Sequence, residues 1–280
     1  MSEPELRTVD LLHMGQERAI GAHLFGDVLV DPGAERTIER VVDALAGAVP
    51  RAVLLTHVHF DHAGGAGALV ERYPDLEVWV HELGAPHLID PTRLVASARR
   101  VWGAYFDQLW GRVVPVPEAN VRVVRGGDAI GDWDVAATPG HAQHHASYLH
   151  RPTGTAFTGD VTGIRIDGGP AFPPTPPPDI DPPAWHASLR TIAAWEPERL
   201  AYSHYGASTD VAAQLDGMHE ALDAFTEASR TSADPAQMAA WIRAWLEERA
   251  PAEAIPSYYA ASPFEGMWGG FDRWWRTSGQ

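Results

Sequence analysis

Residues 56–65 read Thr-His-Val-His-Phe-Asp-His-Ala-Gly-Gly, which places His57, His59, Asp61 and His62 within six residues, directly after the apolar run Ala52 to Leu55. Three imidazoles and a carboxylate at that density form a metal site by their chemistry: zinc is the first choice, and the same nitrogen and oxygen donors also accept iron or manganese. One tight loop cannot comfortably turn all four donors onto a single ion. If the loop leaves a strand end as a turn, His57 and His59 face one point while Asp61 and His62 face another. That arrangement suits two metals, roughly 3.5 to 4 Å apart in two-metal hydrolytic sites.

The missing donors recur downstream in the same setting. Strand-like runs end in a metal-binding residue at Ala52 to Thr56 (then His57), Trp133 to Pro139 (then Gly140 and His141), Thr155 to Gly159 (then Asp160) and Leu200 to Ser203 (then His204). Strands that finish together deliver their ligands to one rim, the usual place for chemistry in layered α/β proteins.

The set THVHFDH, TPGH (Thr138 to His141), FTGD (Phe157 to Asp160) and SH (Ser203 to His204) resembles the metallo-β-lactamase fold superfamily, over about Val9 to His204. The resemblance implies an α/β fold: a four-layer αββα sandwich, here with a helical insertion and a helical, aromatic-rich C-terminal extension. It also implies that His57, His59 and His141 hold a first divalent metal, that Asp61, His62 and His204 hold a second, and that Asp160 bridges the two. No ligand position is substituted.

A length of 280 residues with 45% hydrophobic content supports a sizeable core, and the motif implies one domain over 1–280. There is no cysteine, so disulfides and thiolate chemistry are excluded. The start, MSEPELRTVDLL, is acidic where a signal peptide is basic, and no apolar run approaches the roughly 18 residues of a membrane span. A soluble, cytoplasmic protein without a membrane partner is expected. The net charge of −16 argues against nucleic acid as a partner, because the phosphate backbone is normally met by Lys and Arg.

Residues 6 to 31 read as short strands closed by the turn signal Asp31-Pro32-Gly33, and Ile38, Val41, Val42, Leu45 and Val49 follow at helical spacing. Leu76 to Val80 is a further strand. His81 at its end is assigned to the surroundings of the site or to the surface, since both metals already have their sets. Segment 86–117 puts Leu94, Ala98, Val101, Trp102, Tyr105, Phe106 and Leu109 on one helical face and reads as a cap. Its Trp102, Tyr105, Phe106 and Trp110 either line a substrate pocket or seal the helix to the core. His144 and His145 are expected to donate ring N–H groups to carboxylates or carbonyls that fix the ligands. The proline-rich stretch 168–183 is stiff and reads as a wall of the site's mouth. Asp181-Pro182 and Asp234-Pro235 each start a helix. The extension, 231–280, contains Tyr258, Tyr259, Phe264, Trp268, Phe271, Trp274 and Trp275, too much apolar surface for a disordered tail. It packs over the cap or against a second subunit, which leaves a homodimer open.

Two metals sharing Asp160 would share a water whose pKa falls from about 15.7 to roughly 7, giving a bridging hydroxide as nucleophile. Asp61 would orient that hydroxide. Tyr205, beside His204, is the candidate proton donor to the leaving group. Relatives with this ligand set hydrolyse thioesters (as glyoxalase II does), N-acyl homoserine lactones, β-lactams or phosphodiesters. The expectation here is a small acyl substrate, a thioester or an ester/lactone. The alternatives are a phosphodiesterase on the same fold and a mononuclear iron sulfur oxidoreductase of the persulfide dioxygenase type.

Overall fold

The structure is a computed structural model that describes residues 4–278. Strands β1 (Leu6–Asp10), β2 (Gly21–Phe25), β3 (Val28–Val30), β4 (Ala52–Leu54), β5 (Glu77–His81) and β6 (Val121–Val124) form one sheet in that spatial order. β1 to β3 are antiparallel, and β3 to β6 are parallel. Parallel neighbours need crossover connections. These carry α1 (Ile38–Leu45), then α2 (Phe60–Ala63) and α3 (Ala66–Arg72), then the cap helices α4 (Ala85–Ile89), α5 (Thr92–Trp102) and α6 (Phe106–Trp110).

The second sheet orders β7 (Ala129–Ile130), β8 (Trp133–Ala137), β9 (Ala146–His150), β10 (Thr155–Phe157), β11 (Arg199–Tyr202) and β12 (Gly206–Ser208). Only β10 and β11 are parallel in it, and their crossover contains α7 (Pro182–Ala193). Helices α8 (Val211–Thr231), α9 (Pro235–Glu247), α10 (Ile255–Ala261) and α11 (Phe264–Ser278) complete the described chain.

Side-chain parity explains the layering, because successive residues of a strand face opposite sides. Val28 and Val30, Ala52 and Leu54, and Trp79 meet Ala146, Tyr148, Phe157 and Ala201 between the sheets. Val53, Val78 and Val80 point the other way, onto Val41, Ala66 and Leu69 of the helices. On the far face Leu149, Ala156, Leu200 and Tyr202 pack on Trp185, Leu189 and Met218. The result is the αββα sandwich, with each central strand covered on both faces.

The aromatic tail is spent within the chain. Tyr258, Phe264 and Phe271 are sealed from solvent, against Ile164, Phe172 and Phe225, at roughly 1.5 to 3 kcal/mol for each such burial. The Tyr258 hydroxyl donates to the Pro170 carbonyl at 2.8 Å and accepts from the Ile166 N–H at 3.1 Å. Among the described residues the extension therefore packs on α8 and the 164–180 segment rather than over the cap, and its buried aromatics supply no argument for a second subunit. Among the described residues no helix is long and apolar enough to cross a membrane.

Candidate metal centre

His57 follows β4 by three residues, and α2 begins at Phe60, so the loop turns through His59, the N-cap of α2, straight into a helix. That geometry separates the donors: His57 and His59 precede the helix, while Asp61 and His62 lie in its only turn. His141 follows β8, Asp160 sits in a short 3-10 turn after β10, and His204 follows β11. Two glycines make the approach possible. A Cβ on Gly140 would lie 2.3 Å from the Trp185 Cα, and one on Gly159 would lie 2.4 Å from the Thr56 hydroxyl oxygen; both have positive φ.

The seven side chains converge as two groups. His59 Nδ1 lies 3.0 Å from His57 Nε2 and 3.0 Å from His141 Nε2. His62 Nε2 and His204 Nε2 are 3.3 Å apart, and each is 3.4 Å from Asp61 Oδ2. Asp160 divides its oxygens between them: Oδ2 is 3.3 Å from His141 Nε2, while Oδ1 is 3.2 Å from His62 Nε2 and 3.3 Å from His204 Nε2. Donors bound to one tetrahedral zinc at about 2.0 to 2.1 Å lie about 3.3 Å apart, which is the spacing found.

The ring nitrogens facing away fix the tautomers. His141 Nδ1–H donates to the Pro174 carbonyl at 2.9 Å, and His204 Nδ1–H to the Ala19 carbonyl at 2.8 Å. His62 Nδ1–H donates to Asp31 Oδ2 at 2.9 Å, and His57 Nδ1–H to the Thr56 hydroxyl at 3.1 Å. Each of these rings thus directs its Nε2 into the cluster, where an ion can take the place of any proton on it. Lone pairs and carboxylate oxygens gathered this closely repel unless a cation lies among them, and Asp160 Oδ1 is buried with no hydrogen-bond partner of good geometry. The donor set fits divalent metals.

Electrostatics separate the groups. Burial, with neighbouring imidazoles adding to it, pushes His57 well below its ordinary value and His59 to about 3; burial also lowers His141. For His204, burial opposes the charged form, but Asp160 and Asp61 together outweigh it and raise the pKa to about 9. The same balance, with Asp31 added, holds His62 well above its usual range. Asp61 and Asp160 stay ionised despite burial, because His62 and His204 face them.

A model of the metallo-beta-lactamase superfamily matches residues 26–204. The chain belongs to the metallo-β-lactamase superfamily. It is 30% identical over 161 residues to a metallo-beta-lactamase fold-containing protein, ST1585, of Sulfurisphaera tokodaii, covering 55% of this chain and 60% of that protein. The solved structure of ST1585 superposes with a TM-score of 0.70 at 22% identity, over 97% of this chain and 99% of that one. Hydroxyacylglutathione hydrolase of Xylella fastidiosa is 31% identical over 167 residues, 60% of this chain and 50% of the relative. The chain thus spans about half to three-fifths of the length of these curated relatives. TTHA1623, solved in a di-iron-bound form, is 27% identical with a TM-score of 0.53, over 76% of this chain and 93% of that one.

Within this superfamily site two residues stand out that the sequence had not marked. Asp31, read only as part of a turn, is buried and accepts four hydrogen bonds: from the Thr56 N–H, the Thr56 hydroxyl, His62 Nδ1–H and the Ser203 hydroxyl. It ties the strand ends before two ligand segments together, and its φ of 47° is the left-handed conformation of a turn. His13, in the loop between β1 and β2, is 5% exposed and stacks on Trp110 with ring centroids 5.4 Å apart. Burial lowers its pKa, and the charges acting on it are Asp61 and His204.

Other expected residues lie elsewhere. Tyr205 rests its ring against Gly21 with Arg18 over it, 5.5 Å from the ring centroid. Burial raises its pKa, and the charges that act on its hydroxyl are Asp10, Arg18, Asp167 and Glu17 rather than any ligand. The structure does not bring it to the cluster. His145 stacks on His57 and pairs its Nδ1 with the Thr138 hydroxyl at 2.8 Å, and His144 Nδ1 faces the Val58 N–H at 3.5 Å. Among the described residues neither ring donates to a carboxylate or carbonyl. His81 accepts from the Leu83 N–H. In the cap, Phe106 and Trp110 are buried against Phe60, at 5.3 and 6.1 Å between centroids, while Tyr105 is 68% exposed. These buried aromatics clamp α2, the helix that carries Asp61 and His62. The proline-rich stretch reaches the site through the Pro174 carbonyl, and Thr175 ties it to α11 through the Met267 carbonyl at 3.2 Å.

Proposed function

We propose that the chain is a binuclear metallo-hydrolase acting on a small acyl substrate, a thioester first and an ester or lactone second. The observation that carries this reading is the division of Asp160, one oxygen toward the three-histidine group and the other toward His62 and His204. A carboxylate so placed would offer one oxygen to each of two ions. The thioester preference is supported by the hydroxyacylglutathione hydrolase relatives.

Bound divalent metals would supply a water of lowered pKa and polarise the scissile carbonyl. The chain's own residues do the rest. His59 and Asp61 are the members of the cluster that are not fully buried, so substrate enters on their side. The Asp61 carboxylate, held ionised by His62 and His204, orients the attacking water there by accepting its hydrogen bond. The remaining ligands, sealed in the sandwich, exclude competing water and fix the geometry.

The test is elemental analysis of the purified protein, followed on the same sample by thioester and lactone hydrolysis. About two metals per chain with thioester turnover supports the reading, whether zinc or iron is found. One iron per chain, no hydrolysis and oxygen consumption with a persulfide would replace it with the oxidoreductase alternative.

A further inference from the structure

Helices α7 and α8 lie side by side on the outer face of the second sheet, packed through Trp185 and Leu189 on one and Leu215, Met218 and Leu222 on the other. Beside that apolar seam each helix carries a histidine: His186 on α7, and His219 on α8 with Asp223 one turn further on. His186 Nδ1 lies 2.6 Å from His219 Nδ1, and His186 Nε2 lies 3.0 Å from Asp223 Oδ1. The two rings are 3° from parallel with centroids 4.8 Å apart. No face-to-face stack brings ring atoms to 2.6 Å, so the rings meet edge to edge, nitrogen to nitrogen.

In the neutral pair, His186 donates its Nε2–H to Asp223, and its bare Nδ1 accepts from the His219 Nδ1–H. An imidazole whose one N–H is held by a carboxylate, with the other nitrogen bare, is oriented as a metal ligand. Here a second imidazole nitrogen faces that lone pair. Burial, then the neighbouring His186, lowers the His219 pKa, so its ring is neutral at neutral pH, as a ligand must be. The other charges acting on it are two carboxylates, Asp223 and Asp216, against one guanidinium, that of Arg190. The His186 side chain is 22% exposed, so an ion can reach the pair from solvent.

We infer that His186 and His219 form a surface site for a divalent transition metal such as zinc, with Asp223 orienting His186. The ion takes the place of the proton between the rings, and that proton moves to His219 Nε2, so none is released. Ligands of one tetrahedral zinc lie about 3.3 Å apart, so the pair opens by about 0.7 Å, which rotation of two partly exposed side chains supplies. Waters complete the coordination. The ion ties α7 to α8. The site shares no residue with the metal centre and holds whatever reaction that centre catalyses.

The test is a calorimetric titration of zinc, at neutral pH, into the full chain with its metal centre loaded and excess ion removed by gel filtration. The wild type is expected to take up one further ion per chain with micromolar affinity. His219→Ala, a replacement that favours a helix, and separately His186→Ala are each expected to lose that ion, while elemental analysis finds the centre's own metals retained. Asp223→Ala is expected to weaken the further ion about 10- to 100-fold. Circular dichroism checks each fold, and if one histidine variant does not fold the other decides. No further ion in the wild type, or the same uptake in a folded histidine variant, overturns the site. Equal affinity in Asp223→Ala and the wild type overturns the orienting role of Asp223.

Discussion

The group of His57, His59 and His141 contains no carboxylate of its own, whereas that of Asp61, His62 and His204 is laced with them, and Asp31 adds another from behind. The consequence is opposite proton chemistry in neighbouring sites. Burial and mutual repulsion keep the first group neutral, so its lone pairs are ready for an ion without displacing protons. In the second, carboxylates hold His62 and His204 as imidazolium whenever no metal competes, so an ion entering there must expel protons. Under the binuclear reading, the two groups therefore differ in how they would load.

Substitution at the shared residue should erase the difference. Asp160→Ala removes an oxygen from both groups and is expected to lower kcat by more than about a hundredfold, since even losing an outer partner of a metal ligand costs 10- to 100-fold. Elemental analysis should show metal lost from both positions. Retention of two ions per chain would mean that Asp160 is not their common ligand.

A substitution behind the second group should widen the difference instead. Asp31 accepts four hydrogen bonds, and Asn at that position would turn an NH₂ toward donors such as the Thr56 N–H or hydroxyl. Asp31→Asn is expected to weaken metal at Asp61, His62 and His204 by about 10- to 100-fold, leaving the three-histidine group loaded. Competition with a graded series of chelators would reveal one weakened site. Equal weakening of both would show that Asp31 acts on the loop as a whole.

The pH dependence of the metal-free protein tests the proton chemistry directly. A histidine whose folded pKa is lowered costs stability as pH falls below 6.5, because the unfolded chain takes a proton that the folded one refuses. His59 at about 3 and His144 at about 2, with His57, His141 and His145 also lowered, act on this acid arm. His62 and His204 are raised, so their contribution is fully present below 6.5 and is lost as pH rises through the folded value, about 9 for His204. Thermal unfolding without metal should therefore be highest near about pH 6.5 and decline on both sides. Adding metal should flatten the alkaline decline, where ligation replaces the lost protons. Identical alkaline profiles with and without metal would contradict the charged second group.

The seven converging residues were legible because His57, His141, Asp160 and His204 each follow a short strand and His59, Asp61 and His62 come within five residues of the first of these, and strands ending on one rim need no long-range knowledge to be aligned. Asp31 was not, although it is as buried as any ligand: Asp-Pro-Gly is a turn signal on its own, and its four partners come from residues 25 to 172 positions away. β9 was missed for a related reason. Ala146–His150 is buried on both faces, so it lacks the alternation that marks a half-exposed strand. The C-terminal helices were readable from their apolar periodicity, but their docking on the 164–180 segment, and through Thr175 and Pro174 on the His141 side of the site, depends on packing that no local pattern encodes.

The smallest expected effect concerns a residue that sequence proximity favours. Tyr205 adjoins His204, yet its ring lies against Gly21 and Arg18, and the charges that act on its hydroxyl are Asp10, Arg18, Asp167 and Glu17. Its phenol pKa is raised, by burial first and by Asp10 next, which makes it a poorer acid at neutral pH. Tyr205→Phe keeps the ring beneath Arg18 and removes only the hydroxyl, so kcat on a thioester with a poor leaving group should change less than about twofold, within the range of a substitution outside the reacting geometry. A poor leaving group is the right probe, because it depends most on protonation. A tenfold loss of kcat on that substrate, absent with an activated one, would mean that the phenol swings into the site during turnover and acts as the proton donor after all.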